Sequence, residues 1–280
     1  MRTFRFFMII AVSAGASMTG CEANYSSCSD FNALPHTDVM KSIGDSYIAL
    51  ASSDCTNITV YLGDMMGLHY NDYSVSADKI DDIIGEYNDH VRGVAGNPVT
   101  TLLMDGGGND TLQGCNDNEL PLCERTINYV LDRSVGWIPS VYADGIEDIV
   151  WFGYPRINCG GDYEKYSGAV DYGMDIMMTQ FTALGVHMVD IRTVFADGVV
   201  GGVTNCAYIG SDGVHPSAAG SFVIAQEIYD TMAADMVPPV GAGGRSIIDT
   251  SNPPAAPSSD GGSGCFIGSL TFYEIVKEYK

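Results

Sequence analysis

The chain has 280 residues, 46% of them hydrophobic: enough for one α/β domain with a sizeable buried core, and too apolar for wholesale disorder. Its formal net charge of −22, from 13 Lys and Arg against 35 Asp and Glu, repels phosphate backbones and so excludes a nucleic-acid partner. The acidity itself reads as solubility, or as adaptation to a salty medium that screens the self-repulsion.

Residues 1–20 read as a targeting segment. Arg2 and Arg5 precede an apolar stretch, Phe6 to Ala16, which is too short to span a bilayer. Two processing sites compete. Ala14-Gly15-Ala16 is an A-x-A-like cleavage site, whereas Met18-Thr19-Gly20-Cys21 is similar to a bacterial lipobox, in which a lipidated Cys21 would attach the protein to a membrane. Either way the chain is expected outside the cytoplasm, as a cell-envelope lipoprotein or a secreted protein. No other run is long and apolar enough for a membrane helix. In an exported chain the eight cysteines read as disulfides. The expected pairs are Cys28–Cys55, Cys115–Cys123 and Cys159–Cys206, with Cys21 and Cys265 left over. No zinc-type spacing occurs, so no metal site is expected.

Residues 21–37 form an irregular lead, and residues 38–236 the expected folded domain. Five apolar or β-rich runs are predicted as strands: Val39–Gly44, Asn57–Leu62, Val99–Met104, Asp148–Tyr154 and Val186–Ile191. Between and after them, helical periodicity covers Ala77–Val94, Leu120–Tyr142, Tyr163–Leu184 and Ser217–Met236, the last entered through Pro216 as a first helical residue. This alternation predicts a three-layer α/β/α sandwich on a five-stranded parallel sheet. Residues 237–280, rich in Pro, Gly and Ser, read as a linker-like tail.

Three short motifs sit at expected strand ends: Gly44-Asp45-Ser46 after the first strand, Gly107-Gly108-Asn109-Asp110 after the third, and Asp212-Gly213-Val214-His215-Pro216 after the fifth, opening the last helix. A parallel sheet delivers such ends to one edge. There a serine hydroxyl needs a base to become a nucleophile. His215 can be that base, and Asp212 can hold its ring. The Ser46 backbone N–H and the Asn109 amide can receive a developing oxyanion. Each residue also has a plainer reading: Ser46 as a helix cap, Asp212 and Asn109 as turn residues. Asp45 and Asp110 read as structural, and His36, His69, His90 and His187 as surface or core residues.

In this order the three motifs resemble blocks I, III and V of the SGNH (GDSL) hydrolases, over roughly residues 38–236. The resemblance implies a flavodoxin-like fold and hydrolysis of esters, thioesters or acyl groups on lipids or sugars. It implies Ser46, His215 and Asp212 as catalytic triad, with Asn109 as an oxyanion donor. The family's block II glycine falls on Ala77, whose backbone N–H would be a third donor. Tyr47 and Tyr73 are expected to flank the cleft and contact substrate; Met65 and Met66, after the second strand, read first as loop or core packing and second as lining of an acyl pocket. No cofactor is expected. Partners are a small-molecule, lipid or acylated-carbohydrate ester. A carbohydrate O-deacetylase and a non-catalytic binding module on the same scaffold are the rival readings, and loops 63–76, 111–122 and 155–167 are expected to set substrate choice.

Overall fold

The first strand, β1 (His36–Ile43), is exposed at its start and wholly buried over its last four residues. The fold is a computed structural model, and it describes residues 22–92, 99–115 and 120–236. A short α1 (Ser29–Asn32) precedes β1, and α2 (Ser46–Ala49) follows it directly. Then come α3 (Ile58–Met66), β2 (His69–Asp72), α4 (Ile80–His90) and β3 (Thr101–Met104). Next are α5 (Gly108–Gly114), α6 (Leu120–Ala143), β4 (Asp148–Phe152) and α7 (Ser167–Ala183). Last come β5 (His187–Val189), α8 (Ile191–Phe195) and α9 (Ala218–Asp235).

The five strands are all parallel, in the order β2-β1-β3-β4-β5, which is the flavodoxin-like order. Alternate residues feed opposite faces. Leu102, Met104, Ile149 and Trp151 pack under α4, α6 and α7. Leu103, Val150, Phe152 and Val189 pack under α3, α8 and α9. Both faces are covered, as the unbroken apolar strands require. Burial of each large side chain of this kind stabilises the fold by about 1.5–3 kcal/mol.

Four of the five predicted strands are present; β1 begins three residues earlier than expected, and the other three are shorter. The second is a correction: residues 58–62 open helix α3, not a strand. The β-branched Ile58, Thr59 and Val60 suggested a strand, yet Ile58, Leu62, Met65 and Met66 recur at the helical period and pack into the core layer shared with α9. The Asn57 side chain caps the helix by accepting from the Val60 N–H at 3.1 Å, and Gly67 ends it in the left-handed conformation (φ 67°). The true β2 is the polar His69–Asp72, inside a segment read as loop. Met65 and Met66 are core residues, the first of their two expected readings, and neither lines the cleft. Pro216 is also corrected: the α9 cap is Ser217, whose hydroxyl accepts from the Gly220 N–H at 3.1 Å.

Disulfides join Cys28 to Cys55, Cys115 to Cys123 and Cys159 to Cys206, the expected pairs. Residues 1–21 and 237–280 lie outside the described residues, and with them the targeting segment, Cys21 and Cys265. No described helix is long and apolar enough to cross a membrane.

Candidate active site

The strand order changes direction between β1 and β3, and open α/β sheets build their crevice where that happens. Ser46 leaves the C-terminal end of β1 as the first residue of α2. Asn109 leaves the end of β3 in the first turn of α5. The third motif does not follow β5 directly. It lies beyond α8, on the loop that enters α9, where Ile209 and Pro216 form an isolated bridge.

These three segments converge. The Ser46 hydroxyl lies 2.8 Å from His215 Nε2, and His215 Nδ1 lies 2.5 Å from Asp212 Oδ2. The other Asp212 oxygen accepts the backbone N–H groups of Val214 and His215, both at 3.0 Å, which fixes the carboxylate against the ring. Ser46 and His215 are buried, while the Asp212 side chain is 47% exposed at the rim. Burial works to raise the Asp212 carboxyl, but the hydrogen bond and charge of His215 and the two backbone donors hold it below the usual carboxylate range.

The helix cap beside Ser46 is Asp45, not Ser46. Its Oδ1 accepts the Tyr47 N–H at 3.0 Å. Its Oδ2 accepts the Tyr154 hydroxyl at 2.6 Å and lies 3.4 Å from the Asn109 amide nitrogen. That amide also donates to the Asp78 carbonyl at 2.9 Å, so one side chain ties the β3 exit to the chain following β2. Asp110 accepts the Ile80 N–H at 2.9 Å and so covers the open end of α4. Asp45 and Asp110 are structural, as expected.

Beneath Asp45 sits a residue the sequence did not single out. Asp105 is fully buried, and its Oδ1 accepts the Asp45 N–H at 2.8 Å. Its Oδ2 has no hydrogen-bond partner. Burial first, and the Asp45 carboxylate second, push its carboxyl well above the usual range, which favours the neutral form. Glycine is needed at 44 for this contact, since a Cβ there would lie 1.9 Å from Asp105 Oδ1. Gly107 turns the chain into α5 at φ 96°, a conformation only glycine adopts easily. Tyr154 was also missed, because it ends an apolar strand and reaches Asp45 only through the fold.

Ala77 lines the cleft at φ 74°, the left-handed backbone that the family's glycine would take freely. Tyr47 lines it too, with its hydroxyl donating to the Val214 carbonyl at 2.5 Å. Tyr73 does not: its ring stacks on His90 at 4.2 Å, under the ammonium of Lys41. His187 pairs with Asp148 at 3.1 Å, and none of His36, His69, His90 or His187 lines the cleft. Among the described residues no group of three His, Cys, Asp or Glu could hold a metal ion. Asp78, at the mouth, is pushed up to about 7 by burial first and then by Asp82, Glu86 and Asp45.

The cleft encloses about 940 Å³ and runs from Ser46, His215 and Asn109 toward α6 and α7. A separate hollow of about 400 Å³, beside Arg133 and Trp137, holds none of the triad residues. The cleft is lined by segments 76–79, 106–113 and 162–177 among others, so the expected specificity loops are only partly those that shape it.

No family model matches the sequence, and no curated protein matches it. Solved structures do match. Axe2, an acetylxylan esterase from Geobacillus stearothermophilus, is 16% identical, covering 75% of this chain and 99% of its own at a TM-score of 0.54. The lipase Lip_vut3 from a goat rumen metagenome is 12% identical, covering 70% and 97% at 0.54. A protein described as lipolytic and of the G-D-S-L family, from Desulfitobacterium hafniense DCB-2, is 11% identical, covering 69% and 98% at 0.53. Variants of Axe2 described as catalytic mutants replace a serine, a histidine and an aspartate with alanine, the aspartate three positions before the histidine. With its strand order, its five parallel strands and these neighbours, the chain has the fold of the SGNH (GDSL) esterases.

Proposed function

We propose that the protein is a serine esterase of the GDSL type, cleaving carboxylic ester bonds. The observation that carries this reading is the unbroken line from Ser46 Oγ to His215 Nε2 to Asp212, at 2.8 and 2.5 Å, inside a cleft. The aspartate–histidine spacing of three residues is that of the Axe2 catalytic mutants.

In this mechanism Ser46 donates its proton to His215 as its oxygen attacks the acyl carbon. Asp212 stabilises the imidazolium that forms. The negative oxygen is received by the backbone N–H groups of Ser46 and Ala77 and by the Asn109 amide, which turns toward it the N–H that otherwise faces Asp45 Oδ2 at 3.4 Å. The acyl–oxygen bond breaks, His215 protonates the departing alkoxide, and the acyl group rests on Ser46. Water, deprotonated by His215, then attacks the acyl-enzyme; the carboxylate leaves and the proton returns to Ser46. No group outside the chain is required. Export through residues 1–20, with or without a lipid on Cys21, belongs to the same proposal.

Ser46→Ala is the test. It is expected to abolish turnover of p-nitrophenyl acetate and labelling by a fluorophosphonate probe, while circular dichroism stays unchanged. Full activity in that variant rejects the assignment, and absence of labelling in the wild type favours a binding module.

A further inference from the structure

Resting on the esterase reading, we propose that Tyr154 is a positioning residue for the oxyanion hole: by engaging Asp45, it leaves the Asn109 amide free to receive the negative oxygen of the transition state. The Asn109 amide nitrogen carries two N–H groups. One donates to the Asp78 carbonyl at 2.9 Å and anchors the side chain. The other faces Asp45 Oδ2 at 3.4 Å, too long for a firm hydrogen bond. That same oxygen accepts the Tyr154 hydroxyl at 2.6 Å, the length of a strong charge-assisted bond. Two donors thus share one oxygen, and the phenol holds it far more tightly. Asp45 is only 1% exposed, so solvent satisfies little of its carboxylate. Without the phenol, Oδ2 would keep the amide as its remaining donor and draw it in, in competition with the oxyanion.

The fold places the phenol for this task. Tyr154 follows the end of β4 and Asp45 the end of β1, and β3 lies between those two strands in the sheet. The Tyr154 side chain therefore crosses the β3 exit, where Asn109 leaves the sheet. Gly108 lets it lie close: a Cβ there would stand 2.6 Å from Tyr154 Cζ and 2.9 Å from its hydroxyl. The Tyr47 ring meets the Tyr154 ring edge-on, with centroids 5.0 Å apart, and steadies it from the nucleophile side. Burial first, and the Asp45 carboxylate second, push the phenol well above its usual range, so it keeps the proton it donates. Tyr154 lines the cleft, but its influence runs through Asp45 and Asn109 and needs no contact with substrate. The amide it frees acts only as charge develops on the substrate oxygen, so the effect belongs to kcat.

The experiment compares the wild type, Tyr154→Phe, Asn109→Ala and the double variant on p-nitrophenyl acetate, with fluorophosphonate labelling of the wild type run beside it. Tyr154→Phe is expected to lower kcat and kcat/KM together by about ten- to a hundredfold, part of the roughly 10²–10³-fold cost of losing a whole oxyanion donor, with KM nearly unchanged. Once Asn109 is gone the phenol has nothing left to position, so in the Asn109→Ala background Tyr154→Phe is expected to cost less than about threefold. Losses that multiply, as a merely structural role would give, overturn the proposal, and so does a single variant within about threefold of the wild type. If Tyr154→Phe does not fold, Asp45→Asn decides, because it removes the oxygen that competes for the amide. Asp45→Asn and Asp45→Asn/Tyr154→Phe are then expected to turn over within about threefold of each other, and a gap of about tenfold or more overturns the proposal. All of these outcomes leave the esterase standing; a wild type that neither hydrolyses the ester nor takes the label overturns the esterase reading itself.

Discussion

Asp105 offers the sharpest test of how the nucleophile is held. It is fully buried, accepts the Asp45 N–H at 2.8 Å through one oxygen, and has no partner on the other. If its carboxyl is neutral, as its burial and the nearby Asp45 carboxylate dictate, then Asp105→Asn exchanges one neutral group for another of the same shape and keeps the acceptor. The expected cost near pH 5 is under about 1 kcal/mol. Asp105→Ala removes the acceptor and orphans a buried N–H, at about 1–3 kcal/mol, and adds a small cavity. The expected total is about 2–4 kcal/mol, or roughly 4–16 °C in Tm for a domain of this size. The pH dependence separates the two further. A carboxyl whose folded-state pKa is raised stabilises the fold relative to its ionised form below the unfolded pKa, near 4, and that contribution is lost as pH rises toward the folded value. The asparagine variant is therefore expected to gain on the wild type between pH 5 and pH 9. Thermal unfolding at both pH values is the assay. An asparagine variant as unstable as the alanine variant at pH 5 would mean that the buried carboxyl is ionised, and would refute the reasoning.

Asp212→Asn removes the charge that balances an imidazolium, and is expected to lower kcat by about 10³–10⁴ with little change in KM, measured on p-nitrophenyl butyrate. Asp78, pushed up to about 7, destabilises the fold progressively as pH rises from about 4 to about 7, so Asp78→Asn should flatten the fall in Tm over that window. Ala77→Gly relieves a left-handed alanine at φ 74°, roughly 1–2 kcal/mol, against a gain of roughly 0.4–1 kcal/mol in unfolded-chain entropy; a Tm higher by about 1–3 °C is expected by scanning calorimetry.

The residues of the proposed triad were legible because each closes a short motif whose neighbours also have jobs: Asp45 caps α2, Ser217 caps α9, and the glycines at 44 and 107 permit contacts that a side chain would block. The four long apolar runs were legible as strands for the same reason, since both faces of the sheet are covered. The misreadings have physical causes. Ile58-Thr59-Val60 carries the local preference of a strand, and only packing against α9 reveals the helical period. His69–Asp72 is too short and polar to declare itself, and it is a strand because β1 supplies the partners for its backbone. Asp105 and Tyr154 reach Asp45 only in three dimensions, from separations of 60 and 109 residues, and no spacing rule reaches that far.

The Cys159–Cys206 bond closes a loop of 47 residues that begins just beyond β4 and ends six residues before Asp212. Chain-entropy arithmetic sets its worth at about 4 kcal/mol, which is a large share of the stability of an ordinary domain. The stretch bearing the acid and the base is thus moored covalently on one side and by α9 on the other. In a thiol-rich solution it would lose the first mooring, and the alignment of ring and carboxylate would then depend on α9 and the hydrogen bonds of the loop. The chemistry proposed for this cleft is in that sense conditional on the oxidising power of its surroundings, a dependence written into the scaffold and not into the reacting groups.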